Sequence, residues 1–149
     1  MATPADAEIA LKLYDLRREE VMRKARNFIA MEFWPASADE FKQIHTPGNP
    51  NNAYWRQVIS YWEMAASIAL HGGIDPDLFT DTQGEGFFIR AKFAELSEQA
   101  TGNPFMPQTL KLIQSKDSIG QKYAAIVQNV AAMRSRFTAS KASHRGIES

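Results

Sequence analysis

Between Trp55 and Phe93 the chain reads WRQVISYWEMAASIALHGGIDPDLFTDTQGEGFFIRAKF, and no other stretch constrains the fold as strongly. It opens on a dense apolar pattern at helical spacing, stops at a double glycine, passes through a compact acidic turn and resumes with a second helical pattern. The first of these helices is predicted from about Ala53 to His71. Trp55, Val58, Ile59, Trp62, Ala66 and Ala69 share one side of it, widened by Tyr54, Tyr61, Ala65 and Ile68. That arc covers about half the circumference, against roughly 100° for a surface helix, so the helix must be covered on more than one side. Gly72 and Gly73 supply a left-handed stop. Asp75 then reads as an N-cap, with Pro76 at the first helical position of one short turn through Phe79. Asp81 or Thr82 is expected to cap a further helix to about Ala100, with Phe87, Phe88, Ala91 and Ala94 on one face and Ile89, Phe93 and Leu96 on another.

The flanking segments repeat the helical signal. Ala5 to about Phe33 contains neither Gly nor Pro and is expected to be one long charged helix. Ile9, Leu13 and Leu16 form one stripe by i, i+4, i+7 spacing, which then turns polar through Glu20, Arg23, Lys24 and Asn27. Val21, Met22, Ala25, Phe28 and Ile29 form a second face. Two explanations stay open: the first half is embedded between neighbouring helices, or Ile9, Leu13 and Leu16 contact a second copy of the chain. Pro35 ends this helix, and Ser37 with Glu40 forms a capping box ahead of a short helix to about Ile44. The turn-rich loop from His45 to Asn52 is expected to close on an Asn cap. A short helix is expected near Pro107 to Gln114. The last helix, about Asp117 to Phe137, has the cleanest period. Ile119, Tyr123, Ile126, Val130, Met133 and Phe137 make an a/d seam suited to near-antiparallel packing.

No run alternates as a strand would. The fold class is therefore all-α: a bundle of four main helices with short helices in the connections, occupying residues 1–137 as one domain. Residues 138–149 are small and polar and read as a C-terminal tail. A chain of 149 residues can bury a core of that size.

Several functions are disfavoured. Lys plus Arg and Asp plus Glu are 17 each, so the chain lacks the basic excess of a dedicated polyanion binder. The basic end, Arg134, Arg136, Lys141, His144 and Arg145, leaves nucleic-acid binding only as a third choice, since no aromatic residues are interleaved there for base stacking. The absence of Cys excludes disulfides, thiolate catalysis and Cys-based zinc sites, and suits a reducing cytoplasm. No basic n-region and apolar h-region opens the chain. The most apolar run, Met64 to Leu70, falls far short of the roughly 20 residues a membrane helix needs. A soluble cytoplasmic protein is the expectation.

No metal or cofactor is expected. Asp75, Asp77, Asp81 and Glu85 invite a calcium reading, but counting from Asp75 places Phe79 at position 5, Thr80 at 6 and Gly86 at 12, where an EF-hand needs an oxygen ligand, Gly and Glu. No Glu-x-x-His pair exists for a di-metal bundle. Gly84-Glu85-Gly86 lacks the Lys-Ser/Thr of a phosphate loop. The residues that stand out are Trp55, Trp62, Glu63, Phe87, Phe88 and Arg90. The aromatics read first as core. Glu63 borders the wide apolar arc and Arg90 borders the Phe87/Ala94 face of the following helix. The two are expected to form a buried ion pair, either structural or lining a small-molecule pocket.

The segment Trp55-x-x-Val58-x-x-Tyr61-Trp62-Glu63-Met64-Ala65-Ala66, followed by Gly73-Ile74-Asp75-x-x-Leu78-Phe79, resembles small uncharacterised bacterial all-helical proteins of unknown function. The resemblance covers about a quarter of the chain. It implies a helical fold, no assigned activity and no functional residues.

Two classes of function follow. The first is a non-catalytic interaction or regulatory module, homodimeric through Ile9, Leu13 and Leu16. The alternative is a small-molecule-binding protein or enzyme with a pocket between the central helices at Trp55, Trp62, Glu63, Phe87 and Arg90. A deep pocket with convergent polar groups favours the second, a flat apolar patch the first.

Overall fold

The computed structural model describes residues 1–147, with the side chains at 141–145 and 147 excepted. Among the described residues the fold is all-α, with no strand: α1 (Pro4–Arg17), α2 (Glu20–Asn27) running into a π-helical turn (Phe28–Glu32), α3 (Ala38–Lys42) with a 3₁₀ turn (Gln43–His45), α4 (Asn52–Leu70), α5 (Pro76–Thr82), α6 (Glu85–Thr101), α7 (Pro107–Ser115) and α8 (Asp117–Ile147). No helix among these residues is long and apolar enough to cross a membrane.

α4 is the central helix that its apolar arc requires. Trp55, Val58, Trp62, Ala65, Ala66 and Ala69 are buried along it. α2 packs on one flank and α7 on the other. Its end follows from the double glycine: Gly72 takes φ +84, which a side chain rarely adopts, and the Gly73 N–H bonds back to the Ile68 carbonyl at 2.8 Å. Asp75 caps α5 as expected, accepting from the Leu78 N–H at 2.9 Å.

The expected long first helix is two helices. Glu19 breaks it: its carboxylate accepts from the N–H groups of Val21 (3.0 Å) and Met22 (2.9 Å) and so starts α2 afresh. The break removes the conflict between the two apolar stripes. A straight helix would turn the Ile9/Leu13 stripe away from the Met22/Ala25/Ile29 stripe, whereas the bend lets both face the same core. The Tyr61 hydroxyl donates to the Leu13 carbonyl and Arg26 to the Arg17 carbonyl, holding the bend closed.

Three smaller boundaries also move. Asp81 and Thr82 lie inside α5, and α6 starts instead from Gly84, without a side-chain cap. Asn51 heads α4 without a side-chain cap bond. α8 does not stop at Phe137 but continues as helix to Ile147. Its seam meets α6 and α7. Ile119 and Val130 are fully buried, while Tyr123, Ile126, Met133 and Phe137 are only half-buried.

Candidate functional site

The expected Glu63–Arg90 pair does not form. Glu63 is half-buried, and its carboxylate faces the N-terminus of α7. It accepts from the N–H groups of Gln108 (2.9 Å) and Thr109 (3.0 Å) and from the Thr109 hydroxyl (2.7 Å). The residue before α7, Met106, sits in a left-handed conformation (φ 50) and offers no capping side chain. Glu63 supplies from a neighbouring helix the acceptor that α7 lacks locally. Arg90 is buried and turned to other partners. It donates to the Phe105 carbonyl (3.0 Å) and the Tyr123 hydroxyl (2.8 Å), and its nearest carboxylate is Glu98 at 3.7 Å.

Trp55, Trp62 and Phe87 are core residues. Trp55 stacks on Phe105 and meets Phe41 and Phe93 edge-on. Trp62 lies against Gly86, where an added Cβ would come within 3.2 Å of the indole. The stripe assigned to a second copy is divided. Leu13 is 3% exposed, inside the monomer's own core, and Ile9 packs against that core, while Leu16 remains 44% exposed. The outer face of α1 carries Leu11 (68% exposed) and Tyr14 (43%) instead.

Five acids, Asp6, Glu19, Glu40, Glu63 and Asp75, accept from backbone N–H groups. Asp6 accepts from the Thr3 and Asp75 N–H groups, and these bonds, with the Thr3 hydroxyl, hold its carboxyl below the usual range. Glu19 is held low in the same way by Val21 and Met22. Among the described residues no three His, Cys, Asp or Glu side chains converge to hold a metal.

A cleft of about 580 Å³ opens between the α2/π-turn segment, the start of α6 and α8. Phe88, Ala30, Met31, Ile126 and Met133 give it an apolar lining, to which Arg23, Asn27 and Asn129 add polar groups. One wall is fixed by charge. Arg26 grips Glu85 with Nε and Nη2, and its Nη1 donates to the Arg17 carbonyl at 3.1 Å. Two-pronged guanidinium–carboxylate contacts of this kind set geometry as well as energy. With Glu85 neutralising Arg26, Arg23 is the remaining cation of the lining. The volume falls within the range of small-molecule sites.

A second cleft, of about 520 Å³, lies between the start of α3, α6 and α8 and reaches Lys92. Lys92 is 2% exposed. Its ammonium donates to the carbonyls of Ile29 (2.8 Å) and Ala30 (3.0 Å), where the π-helical turn leaves them free, and lies 4.0 Å over the Trp34 ring. Burial, and then the charge of Arg134, push it down to about 7. Carbonyls and ring face favour the cation while burial opposes it, and burial dominates. Arg134 is itself lowered by burial; it donates to the carbonyls of Lys92 and Pro35.

Sequence reasoning missed this cleft and Lys92. Arg23, Asn27, Ala30 and Met31 do lie at helical spacing, and Ile126 and Met133 are a heptad apart on the α8 seam. Nothing local says that the two sets face one another.

Taken together, the protein is all-helical, with Asp6, Glu19, Glu63 and Asp75 at helix starts and a mostly apolar cleft between α2 and α8 that holds Arg23 and the Arg26–Glu85 pair. The chain belongs to the DUF4760 family, a domain of unknown function matched over residues 2–114. Among curated proteins nothing matches, and among solved structures nothing matches either.

Proposed function

We propose that this protein is a non-catalytic helical binding module and that the α2/α8 cleft takes a small amphiphilic anion. The apolar body lies over Phe88, Met31 and Met133, and the anionic end meets Arg23. The observation that carries the reading is the cleft itself: about 580 Å³ with Phe88, Ala30, Met31, Ile126 and Met133 in its lining, beside a wall held by Arg26 and Glu85, with Arg23, near Glu19, as a second cation. The site is displaced from the expected one. Of the side chains singled out in the sequence only Phe88 lines it. Arg90 borders a separate open depression with Tyr123 and Glu98.

Methionine methyl resonances test it. The chain has 6 Met residues, two of them in the cleft. Phenylbutyrate is expected to shift the signals of Met31 and Met133 while leaving exposed Met64 unmoved, and its neutral amide to bind more weakly. Met133→Trp fills the cleft and removes the response. Shifts absent at millimolar phenylbutyrate, or unchanged by Met133→Trp, defeat the proposal.

A homodimer is the second reading, with the cytoplasm as its setting. It is supported by the exposed Leu11, Tyr14 and Leu16 on α1, large apolar side chains that the monomer leaves uncovered.

A further inference from the structure

α8 stands apart from the rest of the chain in three respects. The family match ends at residue 114, before α8 begins. A single residue, Lys116, joins α7 to α8, in an extended conformation (φ −147, ψ 139). And α8 is incompletely embedded. Clefts run along both of its flanks, one holding Ile126 and Met133, another Val127, Val130 and Arg134. Four of its six seam residues are only half-buried.

What α8 covers is a groove made for an amphipathic helix. Its contacts recur along the whole docked length: Lys122 on Asp81 at the start, Tyr123 on Phe87 and Arg90 next, Val130 buried further along, and Phe137 stacked on Trp34 at 4.8 Å. A second copy of α8 presents the same side chains in the same order, so it reproduces every one of these contacts.

The hinge supplies a reason to exchange. α4 and α6 are each closed by a backbone bond from the residue after the helix, His71 to Ser67 and Gly102 to Glu98. Among the described residues α7 has no such bond from Lys116. The Ser115 hydroxyl takes the Leu112 carbonyl at 2.6 Å, while the other carbonyls of the last turn of α7 and the first N–H groups of α8 have no intrahelical partner. Ser115-Lys116-Asp117-Ser118 contains neither Gly nor Pro. With Lys116 in helical conformation, α7 and α8 form one continuous helix that pairs those groups with each other, at the cost of carrying α8 off its own body.

We propose that α8 is an exchangeable helix: α7 and α8 straighten through Lys116, and each chain docks its α8 in the groove of a second copy, giving a reciprocal dimer. The exchange rests on the homodimer reading and specifies its interface. Docked contacts are the same in both forms, so the balance is set by the hinge and by concentration. Because Ile126, Asn129 and Met133 wall the main cleft, each cleft of the dimer is completed by the partner.

Light scattering after size exclusion, over a concentration series of the full chain, tests this alongside two hinge variants. A flexible Gly/Ser insert of six residues after Ser115 lets α8 fold back unstrained and is expected to weaken the dimer by at least about tenfold. Lys116→Ala favours the continuous helix and is expected to strengthen it. Circular dichroism confirms that each variant is folded. A monomer at every concentration ends the homodimer reading and the exchange with it. A dimer indifferent to both hinge changes leaves the homodimer standing and overturns the exchange alone, as does a dimer disrupted only by Leu11→Glu. Should the insert prevent folding, Lys116→Ala decides by itself.

Discussion

Replacing Glu63 with Ala leaves three donors stranded at the start of α7. Two are backbone N–H groups of a helix whose own preceding residue cannot cap it, and the third is the hydroxyl of Thr109, which is 1% exposed. Hydrogen bonds to a charged acceptor contribute about 1.5–3 kcal/mol each where they cannot be replaced, and loss of an N-cap costs about 0.5–2 kcal/mol. Half-exposure of the carboxylate admits water to the vacated site and recovers part of this, so the expected loss for Glu63→Ala is about 3 kcal/mol. At that value the melting temperature falls by roughly 6–12 °C for a chain of this size. Urea titration is the assay, with an unchanged slope and a lowered midpoint as the signature of a folded variant. Thr109→Val removes the hydroxyl donor alone, so the double variant separates that bond from the backbone pair. The strong result is a non-additive cycle, because the second change removes a partner already lost. A loss below about 0.5 kcal/mol refutes the assignment of Glu63 as the cap of α7 and places the carboxylate in solvent. Arg90 is the comparison: it shares no hydrogen bond with Glu63 but holds the Phe105 carbonyl at the entry to α7, so Arg90→Lys paired with Glu63→Ala reads any coupling through that segment.

Lys92 gives a pH dependence of definite sign. Its folded pKa, about 7, lies below the ordinary 10.5, so between these values the unfolded chain holds a proton that the folded chain has released, and stability rises with pH across that window. Urea midpoints between pH 7 and 9.5 read the slope, and Lys92→Met removes it. Gly86→Ala is expected to destabilise by about 1–3 kcal/mol, because the new methyl meets the immobilised Trp62 indole at 3.2 Å. Gly120→Ala, whose nearest neighbour is 3.6 Å away, is expected to gain about 0.5–1 kcal/mol, and thermal melts distinguish the two. Leu13→Glu buries a charge in the core and is expected to abolish the cooperative transition, while Leu11→Glu, two residues away on the exposed face, leaves it intact. A cooperative melt from Leu13→Glu returns Leu13 to the surface.

What the sequence determined by itself is what a few consecutive residues decide. The half-circumference apolar arc from Trp55 to Ala69 required a central helix, Gly72 stopped it, and Asp75-Pro76 started the next. Each feature acts through backbone bonds closed within one turn, so each was legible. The seam from Ile119 to Phe137 was legible for the same reason. The tertiary structure decided what each polar group would bind. Glu19 is as good a helix residue as Glu20, and only a core that needs both apolar stripes on one side makes it a cap and a break. Glu63 borders an apolar arc whichever neighbour faces it, so its sequence position suited a guanidinium equally well. The bare N-terminus of α7 reached it instead, because α7 packs on α4 while Arg90 turns toward Phe105 and Tyr123. Lys92 reads as one charge among many until the π-helical turn at Phe28–Glu32, distant in sequence, presents it with two free carbonyls. Capping and periodicity are local energies. The partner of a charge depends on which distant backbone groups the fold leaves unsatisfied beside it.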